Sequence, residues 1–296
     1  LMQAQAGIVE PIYKQLKDPT TGGQPSTVSM SITPDGKKMF VLSHTRNKYY
    51  IYDLTTPFDL STMDVSNRSE VDFVGDDPPS ASQIKDIEFN NDGTKVFVFG
   101  RDGALLIHNL TTPYDVASIS SSTAVPDDGL DYNTEYGTDR IHGVTFNNDG
   151  TKMYLSDGTI TSTDITQVNL STPFDPSSGT STYNLNTESI TARYTMDLAF
   201  DDDGTRLYLS ESNVGVAINY MYVWKLSNPF ELSSATYVDK WQILGNGNNL
   251  SPYAWTFGNN GMKLYIGTED ASTDGDNIIY EYDLSCPYGI VLCESE

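Results

Sequence analysis

Asp86 and Asp197 are the side chains of this sequence best placed to do chemistry. Each stands seven residues before a glycine, Gly93 and Gly204, in two closely similar stretches. At the same offset from three further glycines of the same kind stand Ser29, Gly143 and Ala254, and one step earlier stand Val28, Lys85, His142, Met196 and Tyr253. Two carboxylates at equivalent positions, with Lys85 and His142 beside them, could serve a glycoside hydrolase or a lactonase. One would act as acid and the other as base or nucleophile, with their pKa values pushed apart. The competing reading makes Asp86 and Asp197 hydrogen-bonded lining of a water-filled channel and His142 a satisfied polar residue. Three of the five equivalent positions offer no titratable group. There is no nucleophile elbow, and three histidines in all make no metal cluster. The expectation is therefore no catalytic residue; were the chain an enzyme, Asp86, Asp197 and His142 would be the set.

The elements that must position these residues are written five times. Phe89-Asn-Asn-Asp-Gly-Thr-Lys-Val-Phe-Val-Phe99 recurs as Ile32–Leu42, Phe146–Ser156, Phe200–Ser210 and Phe257–Gly267. Each copy is a hairpin signal: an apolar residue, an Asp-Gly or Asn-Gly turn whose glycine accepts positive φ, then an alternating apolar and aromatic run. The glycines fall at 36, 93, 150, 204 and 261, in steps of 57, 57, 54 and 57 residues. A second mark follows each hairpin in phase: Leu54-Thr-Thr-Pro-Phe58, Leu110-Thr-Thr-Pro-Tyr114, Leu170-Ser-Thr-Pro-Phe174, Leu226-Ser-Asn-Pro-Phe230 and Leu284-Ser-Cys-Pro-Tyr288. Its proline and hydroxyl residues fix where a third strand turns into a fourth. The Asp side chains of the turns, Asp35, Asp92, Asp149 and Asp203, are expected to cap their own turns.

Four short strands per repeat, and no capped stretch of 3.6-residue period, predict an all-β chain folded as a five-bladed β-propeller with four-stranded blades. Only nine residues follow the fifth Leu-Ser-Cys-Pro mark, too few for a fourth strand. Gly7–Leu16, which reads like Thr236–Leu244, is expected to join the last blade and close the ring. The expected organisation is a single domain over 1–296. Residues 1–18 hold the closing strand, the blades lie at about 26–75, 82–126, 139–187, 192–245 and 251–288 plus 7–16, and 289–296 form a C-terminal tail.

Thr33-Pro-Asp-Gly-Lys-Lys-Met-Phe-Val resembles the repeats of YVTN-type surface-layer and TolB-like propellers. The longer unit, Asp-Gly-Thr-Lys followed by Asp-Leu-Thr-Thr-Pro-Phe-Asp-Leu-Ser-Thr, resembles tandem propeller repeats of virion and tail-associated proteins of marine phages and of some secreted microbial proteins. The resemblance runs from about Gly7 to Tyr288. It implies a structural or surface-binding role at an extracellular, cell-surface or virion location, with no catalytic motif to carry over. Five-bladed propeller glycosidases generally use a third carboxylate; Glu88 is the nearest spare, expected to point to the other side of its strand.

The remaining signals concern partners. Forty Asp and Glu against 17 Lys and Arg give a net charge of −23, which argues against nucleic acid. No apolar run is long enough to span a membrane. The loops of one face are expected to be strongly acidic, and Asp127, Asp128, Asp131, Asp274 and Asp276 are the candidate ligands for Ca²⁺, though without EF-hand spacing; otherwise no cofactor is expected. Tyrosines near that face could stack on a surface glycan, and other copies or other structural proteins of an assembly are the expected partners. A building block of a surface layer or extracellular filament is the third functional reading. Cys286 and Cys293, the only two cysteines, either bridge to pin the tail or stay apart. Sequons stand at Asn67, Asn109, Asn169 and Asn249.

Overall fold

The structure is a computed structural model that describes residues 12–16, 27–43, 48–73, 84–100, 105–125, 141–157, 163–191, 195–211, 219–245, 248–249, 252–269, 277–291 and 293. In chain order β1 (Ile12–Leu16) comes first. The first blade follows with β2 (Thr27–Ile32), β3 (Lys38–Ser43), β4 (Lys48–Asp53) and β5 (Ser69–Asp72). The second has β6 (Ile84–Phe89), β7 (Lys95–Gly100), β8 (Leu105–Leu110) and β9 (Ile119–Val125). The third has β10 (Ile141–Phe146), β11 (Lys152–Asp157), β12 (Asp164–Leu170) and β13 (Gly179–Asn186). The fourth has β14 (Thr195–Phe200), β15 (Arg206–Glu211), β16 (Tyr220–Leu226) and β17 (Ala235–Gln242), followed by a small ribbon of β18 (Leu244–Gly245) and β19 (Asn248–Asn249). The last blade is β20 (Pro252–Gly258), β21 (Lys263–Glu269) and β22 (Asn277–Asp283).

Each blade pairs its strands in sequence order, and the last is completed from the other end of the chain, in the order β1-β22-β21-β20. β1 runs antiparallel to β22 with Ile12 opposite Glu281 and Leu16 opposite Asn277. The molecule is an all-β, five-bladed propeller closed by its N-terminal strand. The outer strand of the first blade, Ser69–Asp72, is the shortest of the five outer strands. Met63 bridges Leu54, and then Asp64 accepts the backbone N–H of Ser66 at 3.0 Å, a local turn that interrupts the pairing before Ser69.

The two sequence marks meet in three dimensions. In every blade the aromatic of the second mark has left-handed backbone, with φ of 61° at Phe58, 56° at Tyr114, 54° at Phe174, 58° at Phe230 and 59° at Tyr288. Such a conformation costs a bulky residue about 1–2 kcal/mol, and the same local contacts hold it each time. The Phe230 N–H donates to the Gly204 carbonyl at 2.9 Å, and its ring lies over that glycine so closely that a Cβ there would stand 2.3 Å from ring carbon. With φ at +72°, position 204 excludes a side chain twice over. The Asp side chains do cap these turns: the Thr94, Thr151 and Thr205 N–H groups donate to Asp92, Asp149 and Asp203 at 2.9, 2.9 and 3.0 Å.

No blade encloses a core of its own. The apolar residues fall into five clusters, each drawn from two adjacent blades, such as Phe97 and Leu105 with Val144 and Leu155. That is why a unit of this length repeats: its apolar face is buried only by a neighbour. Three seams also carry a tyrosyl strut, in which Tyr154, Tyr208 and Tyr265 donate to the carbonyls of Phe230, Tyr288 and Phe58 at 2.6, 2.8 and 2.7 Å. The equivalent residues of the first two blades are Phe40 and Phe97, without a hydroxyl.

Candidate functional site

The innermost strands β2, β6, β10, β14 and β20 surround a central well of about 230 Å³ that opens between the Asp-Gly turns. Strand alternation sets two rings of side chains into it. The deeper ring is Ser29, Asp86, Gly143, Asp197 and Ala254, of which Asp86 and Asp197 line the well; the next, two residues on, is Ser31, Glu88, Thr145, Ala199 and Thr256, all of which line it. One β repeat places the rings about 7 Å apart.

Asp86 ties three blades together. The Ser29 hydroxyl donates to its Oδ1 at 2.6 Å, the Ile87 N–H to the same oxygen at 2.8 Å, and the Val144 N–H to Oδ2 at 2.7 Å. The Ile87 N–H also reaches Ser29 Oγ at 3.1 Å. Asp197 repeats the device, accepting the Leu198 N–H at 2.8 Å and the backbone N–H of Trp255 in the next blade. At Gly143 the backbones of the third and fourth blades come so close that a Cβ would stand 2.7 Å from the Asp197 Cα, so this position has no room for a side chain. Ser156 fills in there, accepting from the Gly143 N–H at 2.9 Å.

Glu88 corrects the expectation that it faces away from the two aspartates. It lines the same well, because residues 86 and 88 are two apart on one strand and so share a face. Its side chain receives one hydrogen bond, from the Thr145 hydroxyl at 3.1 Å. Burial raises the proton affinity of all three carboxyls. Glu88 is pushed up to about 8, first by desolvation and then by the charge of Asp86. Asp197 and Asp86 are raised for the same first reason, Asp197 also by Asp86, while the bonds to Ser29, Val144 and Ile87 pull Asp86 back. Near the rim, burial lifts Asp201 to about 6, partly offset by the Arg206 N–H.

The other sequence candidates are not in the well. His142 is half-buried and is not among the residues lining it; neither is Lys85. The five candidate calcium ligands, Asp127, Asp128, Asp131, Asp274 and Asp276, lie outside the described residues. Among the described residues no three His, Cys, Asp or Glu side chains are grouped to hold a metal ion. Cys286 and Cys293 are joined in a disulfide, with Cα atoms 5.8 Å apart. Sequence reasoning missed the second ring, and the signal was there: the offset of five residues before each glycine gives Glu88, Thr145 and Thr256 as directly as the offset of seven gives Asp86.

No protein-family model and no curated protein matches the sequence. Solved structures match in fold. A functionally unknown protein from Desulfotomaculum acetoxidans DSM 771 aligns over 84% of this chain and 81% of its own, with a TM-score of 0.50 and 13% identity. A luciferin-regenerating enzyme aligns over 92% and 95% at a TM-score of 0.48 and 10% identity. The β-propeller domain of Swd1 from Myceliophteria thermophila aligns over 86% and 69% at 0.41 and 12%. At these identities the likeness is one of architecture.

Proposed function

We propose that this propeller is a non-catalytic structural and binding module of an extracellular, cell-surface or virion assembly. One observation carries the non-catalytic part: the carboxylates of Asp86 and Asp197 are occupied in holding blades together. An acid or base must offer its oxygens to a substrate, whereas both oxygens of Asp86 already accept from Ser29, Ile87 and Val144. The setting rests on the resemblance of the two marks to virion and secreted repeats, and a disulfide between Cys286 and Cys293 fits an oxidising compartment. Surface glycans and neighbouring structural proteins are the partners this reading favours, and Ca²⁺ in the acidic loops belongs to it as a stabilising ion.

A propeller hydrolase remains the second reading, favoured by one specific observation, the arrival of Glu88 as a third carboxylate in the well. The test is turnover of a panel of chromogenic glycosides and lactones by the purified chain and by Asp86→Asn and Glu88→Gln. No rate above the blank is expected from any of the three. Turnover by the native chain that either substitution abolishes overturns the proposal.

A further inference from the structure

The seam between the first and second blades carries a buried histidine among its apolar residues. His108 of β8 is fully buried and faces the first blade, where the equivalent places of the other blades hold Tyr52, Val168, Trp224 and Tyr282. Its strand neighbours on the same face, Leu106 and Leu110, belong to the cluster shared with Phe40, Leu42, Tyr49 and Ile51 of the first blade. The imidazole stands 6.1 Å from the ring of Tyr49 and 6.4 Å from that of Phe73, centroid to centroid. Nδ1 shares a hydrogen bond with the Ser122 hydroxyl at 2.8 Å. Nε2 is buried without a hydrogen-bond partner among the described residues, and so is the hydroxyl of Tyr49. This seam also lacks a tyrosyl strut, since Phe40 stands where Tyr154, Tyr208 and Tyr265 supply one.

Among the described residues no opposite charge meets an imidazolium there. β8 and β9 carry no residue of fixed charge. In the first blade Lys48, Glu70 and Asp72 alternate to the face turned away from the seam, where Lys48 pairs with both acids at 3.3 and 3.2 Å and Arg68 stacks on Tyr50. Lys38 and Asp53 share the seam face at its exposed far end, paired with each other at 2.7 Å. Lys95 of β7 lies opposite Asn109, on the other face of the blade from His108. Tyr49 is the titratable side chain that meets the ring, and burial keeps its proton in place. Burial alone pushes His108 from 6.5 down to about 4.

We propose that the joint between the first and second blades is released by acid, with His108 as the trigger. An imidazolium needs a second acceptor, at Nε2, which the described residues of the closed joint do not supply; water supplies it once the blades part. Opening therefore takes up a proton, and falling pH favours the parted form. The sign is the reverse of that in the well. There Glu88, Asp86 and Asp197 hold their protons more tightly in the folded chain, so acid stabilises. The seam between the second and third blades also lacks a strut, at Phe97, but holds Val168 in place of the histidine and should not respond. Acid thus parts one joint of the ring and leaves the others closed.

The test buries a single thiol in one seam at a time and follows its reaction with a dipyridyl disulfide at pH 7 and pH 5, relative to free cysteine. Both native cysteines are tied up in the disulfide. Val98→Cys therefore reports on the joint, and Val41→Cys and Leu155→Cys on the seams to either side. With His108 at about 4 in the closed joint and 6.5 in the open one, the Val98→Cys thiol should react about twentyfold faster at pH 5. The other two thiols should change by no more than about threefold, and adding His108→Gln should bring the Val98→Cys thiol to the same level. Titration of the well carboxyls is common to all these chains and cancels in the comparison. Should His108→Gln fail to fold, His108→Leu is judged by the same criterion. An acid response shared by all three thiols, one that persists without His108, or none at Val98→Cys overturns the proposal.

Discussion

Replacing Glu88 by glutamine should make the protein less sensitive to alkali. Glu88 has its proton affinity raised from 4.5 to about 8 in the folded chain, and it regains an ordinary value on unfolding. The folded state therefore holds a proton that the unfolded state has lost, and stability falls as pH rises through that interval. The contribution is fully present below about pH 4.5 and gone above about pH 8. Each unit is worth about 1.4 kcal/mol, so between pH 6 and pH 9 the native chain should lose about 2–3 kcal/mol through this one group. Glutamine is nearly isosteric, can keep the Thr145 contact, and does not titrate. Asp86 and Asp197 titrate in both proteins and largely cancel; removing Glu88 also relieves the repulsion that raises Asp197, which flattens the variant's profile further. Guanidinium denaturation followed by tryptophan fluorescence at pH 6, 7, 8 and 9 would measure the difference. Parallel profiles for the two proteins would refute the placement of Glu88 in a desolvated well.

Three further outcomes follow from the scaffold. Gly204→Ala, with its Cβ 2.3 Å from the Phe230 ring and φ at +72°, should cost about 2–4 kcal/mol in denaturant unfolding, and pairing it with Phe230→Ala should cost less than the sum of the two. Tyr208→Phe removes the strut to the Tyr288 carbonyl and should cost about 1 kcal/mol; a melting temperature unchanged within error would mean that seam is held by packing alone. Deleting residues 1–17 strips β1 from β22 and leaves an open sheet edge, so light scattering should show higher assemblies or a lowered melting temperature. A stable monomer would show that closure is dispensable.

Much of the architecture was legible because its cause is local and repeated. A turn that needs positive φ announces itself as Asp-Gly, and five such turns in phase announce a ring. Closure by the N-terminal strand was legible too, since Gly7–Leu16 reads like the outer-strand stretch Thr236–Leu244. The candidate site was only half legible. The offset of Asp86 from its glycine placed it in the channel, but what it does there depends on amides of Ile87 and Val144 whose approach is fixed by blade packing. Gly143 looked like an empty slot in the ring of five and is instead the point where two backbones nearly touch. Nor does sequence reveal that an aromatic after proline would take a left-handed backbone: Phe58 and its equivalents are unfavourable there on their own, and only the glycine beneath each ring makes the conformation worthwhile.

The uneven distribution of tyrosyl struts gives the ring a mechanical character. As in a spoked wheel, Tyr154, Tyr208 and Tyr265 fasten three of the five joints between blades, so the third, fourth, fifth and first blades form a braced arc. The second blade, flanked by Phe40 and Phe97, has no such brace on either side and is pinned at the hub through Asp86. Load applied around the ring should pass along the arc and concentrate on the two seams of that one spoke. Asp86 and Glu88 belong to the same spoke, so whatever occupies the hub pulls on the blade that has no tyrosyl strut to either neighbour.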